Sequence, residues 1–224
     1  CGSCHFFSGG APNAKHGDLE PALADPPAEL DQHMGRLDMR CQDCHTTSRH
    51  RIAGMSMTAP AVEGRVNCEQ CHGPSPHGVV GMLGRHLDDH VRTIACETCH
   101  IPLFATSAPT LLRRDVSAAG EDRPGATGEL GMPSYDPRLG ELEWGVDQAP
   151  VYLWWDGTRH ATLVGDRIRP SRRVELNAPS GEKRNPAARI YPFKVYAAVQ
   201  PYDTESRVLA SPDGRLIATS NIGK

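Results

Sequence analysis

The first half of the chain lacks large aromatic side chains. Between Phe7 and Phe104 there is no Phe, Tyr or Trp. A stretch of about a hundred residues so depleted makes a poor side-chain core. Long apolar runs are missing too. The longest, Val151 to Trp155, is five residues and cannot cross a membrane, so no transmembrane segment is expected. No excess of basic residues exists, with 24 Lys and Arg against 27 Asp and Glu among 224 residues. A nucleic-acid partner is therefore not expected. Lysine is scarce: four of those 24 cations are Lys and twenty are Arg. No secretory signal is present, and any export signal is expected to have been removed. Cysteine is absent after residue 99.

All eight cysteines fall in four C-x-x-C pairs, and a histidine follows each pair at once. The runs are Cys1-Gly-Ser-Cys4-His5, Cys41-Gln-Asp-Cys44-His45, Cys68-Glu-Gln-Cys71-His72 and Cys96-Glu-Thr-Cys99-His100. C-x-x-C-H is the attachment motif of c-type haem. Two thiols add across the two porphyrin vinyl groups, and the next residue lies under the iron, where its imidazole becomes the proximal ligand. A zinc ribbon needs two knuckles per metal and no histidine after each. A disulfide scaffold would not space every cysteine by two residues, and a thioredoxin-type pair is single. Four haem c groups with their iron are thus expected, and four porphyrins would fill the volume that the missing aromatics leave. The expected fold is a multihaem cytochrome c: haem-cored, loop-rich, with short α-helices at the motifs. Haem c is assembled outside the cytoplasm, which implies a periplasmic or extracellular protein.

Four irons need four distal ligands. Seven histidines lie outside the motifs: His16, His33, His50, His77, His86, His90 and His160. Met with His would raise the haem potential relative to a second His, but the surplus of histidine favours bis-histidine sites. His50 and His77 each follow a motif histidine by five residues. So short a loop reaches its own haem poorly and would serve a neighbouring one. His86 and His90 sit four apart on an expected helix, Gly84 to Ile94, and share a face. His160 reads as an exposed strand residue. Arg49, Arg51, Arg85 and Arg92 are candidates to pair with haem propionates.

The other ten aromatics lie in residues 101–224, where strand signals appear. Val151–Trp155 runs through Asp156-Gly157 to His160–Val164, and Arg207–Ala210 runs through Asp213-Gly214 to Arg215–Ala218. Asp-Gly between apolar runs signals a β-hairpin. Residues 117–147 read as loop. The expected organisation is a tetrahaem-binding region, 1–108, and a cysteine-free region with β-hairpins, 109–224, packed on it. The motifs are spaced 40, 27 and 28 residues apart, with no other repeat.

The residues between the motifs resemble the octahaem tetrathionate reductase family, relatives of hydroxylamine oxidoreductase. The likeness runs through Cys1–Phe6, Lys15-His-Gly-Asp-Leu19, Cys41–His50 and Ile94–Pro102. It continues in the cysteine-free half through Trp154–Gly157, Leu163–Asp166, Val174–Asn177, Ala188–Val195 and Gln200–Asp203. It covers nearly the whole chain. The resemblance implies a lysine as distal ligand of an active-site haem, which falls on Lys15 here, and bis-histidine haems elsewhere. It implies His16, His33, His50 and His90 as distal ligands, with His77 a further candidate. The family carries eight motifs. The chain is therefore expected to be either the middle of that pattern, with motifs to come before Cys1 and after Lys224, or a short tetrahaem relative without the catalytic haem.

Electron transport between redox partner proteins is the function expected of the chain as written. Repeated in a homo-oligomer, filament or complex, such units would make a conductor. The alternatives are a reductase of tetrathionate, nitrite or hydroxylamine, with Lys15 catalytic if its haem is present, and a structural module of a larger cytochrome complex. The intact mass of the native protein separates these readings. Four haems on this chain are expected; eight haems on a longer polypeptide would contradict the tetrahaem carrier.

Overall fold

A computed structural model describes residues 1–6, 21–54, 57, 67–78, 81–124 and 126–210, leaving aside the side chains of Ser3 and Cys4. Each haem motif forms a single helical turn: α1 (Gly2–His5), α2 (Cys41–Cys44), α3 (Glu69–His72) and, beyond the longer α4 (Gly81–His90), α5 (Cys96–His100). The helix expected at Gly84–Ile94 starts three residues earlier and stops at His90, where the Thr93 hydroxyl and two backbone amides bond to the His90 carbonyl. Among the described residues no helix is long and apolar enough to cross a membrane.

The strands begin with a small hairpin, β1 (Thr47–Ser48) and β2 (Arg51–Ile52), directly after the second motif. The others lie in the cysteine-free half. They are β3 (Thr110–Asp115), β4 (Tyr135–Asp136), β5 (Gly140–Gly145), β6 (Val151–Trp155), β7 (Arg159–Ala161), β8 (Asn177–Pro179), β9 (Arg189–Phe193) and β10 (Ala197–Val199). One four-stranded sheet has the order β10-β3-β5-β4, with β10 parallel to β3 and the other pairs antiparallel. Two further pairs, β6 with β9 and β7 with β8, are antiparallel ribbons.

Two expectations are corrected here. Asp156-Gly157 does not close a hairpin: β6 pairs with β9, and β7 with β8. The turn is instead folded on itself. Asp156 Oδ1 accepts from the Thr158 amide and hydroxyl, and the Trp155 indole N–H donates to the Thr158 carbonyl at 2.7 Å. The end of β8 then enters beside it, with the Asp156 amide on the Ser180 carbonyl and the Ser180 amide on the Thr158 carbonyl. The second Asp-Gly signal, at Asp213-Gly214, lies outside the described residues. Residues 117–147 are not all loop, since they hold β4 and β5. From Gly140 to Glu143 buried and exposed positions alternate, Trp144 is half-buried and Gly145 buried, so glycine takes two of the three buried places. A reading that counts apolar side chains misses such a strand.

The side-chain core sits where the aromatics are. Trp155 packs edge-on against Tyr191 and Phe193, and Phe104, Leu111, Tyr135, Leu142 and Ile168 are also buried. Among the described residues before 104, the buried apolar side chains beyond proline are Phe6, Ala53 and Ala95. Three small contributions of this kind cannot hold the motif helices in place by apolar burial alone. β9 ties the two parts together. The Ile190 carbonyl accepts from the Ala95 amide and the Thr98 hydroxyl at the start of α5, and the Ile190 amide donates to Thr93. The Arg189 guanidinium meets Glu69 of α3 at 2.8 Å.

Gly140 is required by its surroundings. Its φ is +84°, and a Cβ there would lie 1.9 Å from the Asp115 carbonyl oxygen. Gly140→Ala is expected to cost about 3 kcal/mol in chemical denaturation. Gly131→Ala, at φ +72° with open space around it, is expected to cost about 1 kcal/mol. Equal costs at the two sites would contradict this packing.

Candidate haem sites

Each motif helix delivers its histidine at its C-terminal end. In α1 the His5 amide closes on the Cys1 carbonyl at 2.9 Å, and Gly2 leaves room for the buried Phe6 ring. In α3 the His72 amide bonds to the Cys68 carbonyl at 2.9 Å, and Gly73, at φ +74°, ends the helix. His100 ends α5, which starts on buried Ala95. His45 follows α2, with its Nδ1 3.1 Å from the Ala53 carbonyl oxygen.

Three histidines outside the motifs are held by local devices. His33 lies in a π-helical turn, Gln32–Arg36. Asp31 caps that turn, its Oδ1 accepting from the amides of His33 and Met34 at 2.8 and 2.7 Å. Gly35 lets the turn press on the backbone of Pro26 and Pro27, where a Cβ would come within 2.5 Å. His50 is at the tip of the β1–β2 hairpin. Arg49 and His50, the two central residues, have φ of 49° and 65°. A two-residue hairpin of this kind asks for positive φ at both, and normally takes Asn-Gly. Holding two side chains there costs on the order of 1 kcal/mol each. His77 is fixed by Asp88 of α4, whose Oδ1 lies 3.0 Å from both the His77 amide nitrogen and Nδ1.

These three histidines face three motif histidines. The ring centres of His5 and His50 are 5.9 Å apart, those of His33 and His72 6.0 Å, and those of His77 and His100 6.1 Å. An iron with an imidazole nitrogen about 2 Å away on each side sets the ring centres roughly 6 Å apart. The donor set and the spacing therefore fit an iron between each pair. By contrast, the rings of His86 and His90 are 4.6 Å apart, too close to admit one. The planes are near parallel for His5/His50 (16°) and His77/His100 (9°), and steep for His33/His72 (73°). His50 thus faces the first motif and His77 the fourth, not the motif each one follows.

The remaining sequence candidates lie elsewhere. Lys15 and His16 are outside the described residues. His90, exposed on α4, faces His86 and no described motif histidine. His160 is exposed on β7 opposite Ala178. Arg92 makes a loose, exposed pair with Asp89 at 3.6 Å, while Arg49, Arg51 and Arg85 have no ion-pair partner among the described residues. Two contributors were not foreseen, Asp88 and the Ala53 carbonyl. Asp88 is eleven residues from His77, and no spacing rule links them.

Cys1, Cys41, Cys44, Cys68, Cys71, Cys96 and Cys99 form no disulfide, as attachment to haem requires. Burial pushes the Cys68 thiol up to about 12, helped by Glu97 and by the hydrogen-bonded Cys96, and burial raises Cys44 and Cys96 as well. Among the described residues, no group of three or more His, Cys, Asp or Glu is placed to hold a bare metal ion.

Comparison with known proteins points to cytochromes c. Residues 1–73 match the family model Cytochrome c554 and c-prime, and residues 112–215 match Cytochrome c bacterial. An uncharacterized protein of Archaeoglobus fulgidus is 36% identical over 66 residues, which is 29% of this chain and 22% of that protein. The crystal structure of octaheme cytochrome c from Shewanella oneidensis superposes with a TM-score of 0.82 at 36% identity. The match covers 95% of this chain and 47% of that one, so the chain spans about half the length of its solved relative. By motif, fold and likeness, the chain is a multihaem c-type cytochrome with the fold of the octahaem cytochromes c.

Proposed function

We propose that the chain is an electron-transfer module carrying four covalently attached haems. The observation that supports this reading most is the common spacing of three histidine pairs. His5 with His50, His72 with His33 and His100 with His77 would each fill both axial positions of one iron. His45 would hold the fourth, with His16 and His90 the candidates for its far side. Haem bound in this way supplies a one-electron ferric–ferrous couple. At these three paired sites the imidazoles on both sides would leave a substrate no place on the iron.

The pairing also crosses the chain over itself. The segment after motif two would reach the first site, the segment before it the third, and the segment after motif three the fourth. The Cys68 and Cys96 side chains lie next to one another, and motifs three and four would therefore sit side by side. Such a wrapping keeps redox centres near one another. The likeness to a longer octahaem protein supports reading the chain as part of a longer haem series that passes electrons to redox partner proteins. Covalent haem attachment favours a periplasmic or extracellular site. The alternative reductase role rests on Lys15, which lies outside the described residues, and no described feature favours it.

Ring orientation gives the test. Near-parallel imidazoles split the iron d-orbitals and give rhombic low-spin signals in electron paramagnetic resonance; steeply crossed rings leave them nearly degenerate and give a strongly anisotropic one. The ferric holoprotein is expected to show both kinds. His33→Ala is expected to remove the anisotropic signal and produce one high-spin haem. A variant whose haems all stay low-spin, with the anisotropic signal intact, would overturn the pairing.

A further inference from the structure

His77 is held more firmly than a bare hydrogen bond would require. One oxygen of Asp88 meets both its ring nitrogen and its backbone amide at 3.0 Å. The Asp88 side chain is 11% exposed and that of His77 28%, so the contact is shielded from water on the carboxylate side. With Nδ1 turned to Asp88, Nε2 is the nitrogen left to act as a ligand, and the His100 ring lies 6.1 Å away, 9° from parallel. The Nδ1 of His45 meets the neutral carbonyl of Ala53 instead.

We propose that Asp88 is a positioning residue that orients His77 and lowers the reduction potential of the iron held between His77 and His100. The proposal rests on those two histidines being axial ligands. A carboxylate that accepts the Nδ1–H makes the imidazole a stronger donor. Its negative charge, in a partly buried place, stabilises the ferric state over the ferrous. The arrangement resembles the carboxylate–histidine–metal units that tune metal sites generally, and sequence spacing gives no hint of it.

The experiment uses the full haem-loaded chain in a spectroscopically monitored redox titration. Asp88→Asn keeps an acceptor and removes the charge. It is expected to raise the potential of one haem only, by the equivalent of a ten- to hundredfold change in the ferric–ferrous ratio, about 59 mV for each factor of ten. Asp89→Asn makes the same charge change one residue on, at a side chain that is 68% exposed and turned to Arg92. It is expected to shift the potentials far less. Equal shifts in the two variants, or no shift in Asp88→Asn, would overturn the proposal. His77→Ala separates the two levels of the argument. A new high-spin haem there supports the ligand assignment, whereas haems that all remain low-spin would show that His77 is no ligand and remove the ground of the proposal.

Discussion

Two imidazoles facing across roughly 6 Å form the constraint on which the motif-bearing half depends. Such a pair can bridge parts of the chain far apart in sequence through a single iron. His5 and His50 come from segments 45 residues apart, His33 and His72 from segments 39 apart. An iron held by both members of a pair would close a long loop, much as a disulfide does. It also explains why that half manages with so few buried side chains. Apolar burial there falls to Phe6, Ala53 and Ala95 beside proline among the described residues, and a porphyrin is a larger apolar body than any side chain.

The cysteine-free half works by different means. Its aromatic cluster of Trp155, Tyr191 and Phe193, and the β3–β5 sheet with buried Leu111 and Leu142, form an ordinary side-chain core. β9 reaches from that core to the motifs. Ile190 anchors the start of α5, and Arg189 binds Glu69 of α3. The helices that carry His72 and His100 are therefore referenced to a protein core, while His33 and His50 are referenced to local turns and His77 to Asp88 of α4. In each pair one histidine is carried by its motif helix, and the other is set by a cap, a hairpin tip at positive φ or a carboxylate.

How much of this was legible follows from which contacts are local. Cysteine pairs with their histidines are contiguous, so attachment and proximal ligands can be read directly. The strand at Val151–Trp155 was readable from its apolar run. Its partner was not, because Asp156 turns back on Thr158 and hands the next strand to β8. β5 was missed since glycine occupies two of its three buried positions. That His50 and His77 would serve a site other than the nearest follows from loop length alone, but which site each faces depends on how the chain crosses itself. The Asp88–His77 contact joins two separate segments and leaves no periodic trace.

Backbone hydrogen exchange on the holoprotein and on the same chain made without haem tests the central claim most directly. If the irons and porphyrins stand in for a side-chain core, the haem-free chain keeps protection in β3, β5, β6 and β9 while α2, α3 and the β1–β2 hairpin exchange freely, and haem attachment restores their protection. Equal protection of the motif helices with and without haem would contradict the account.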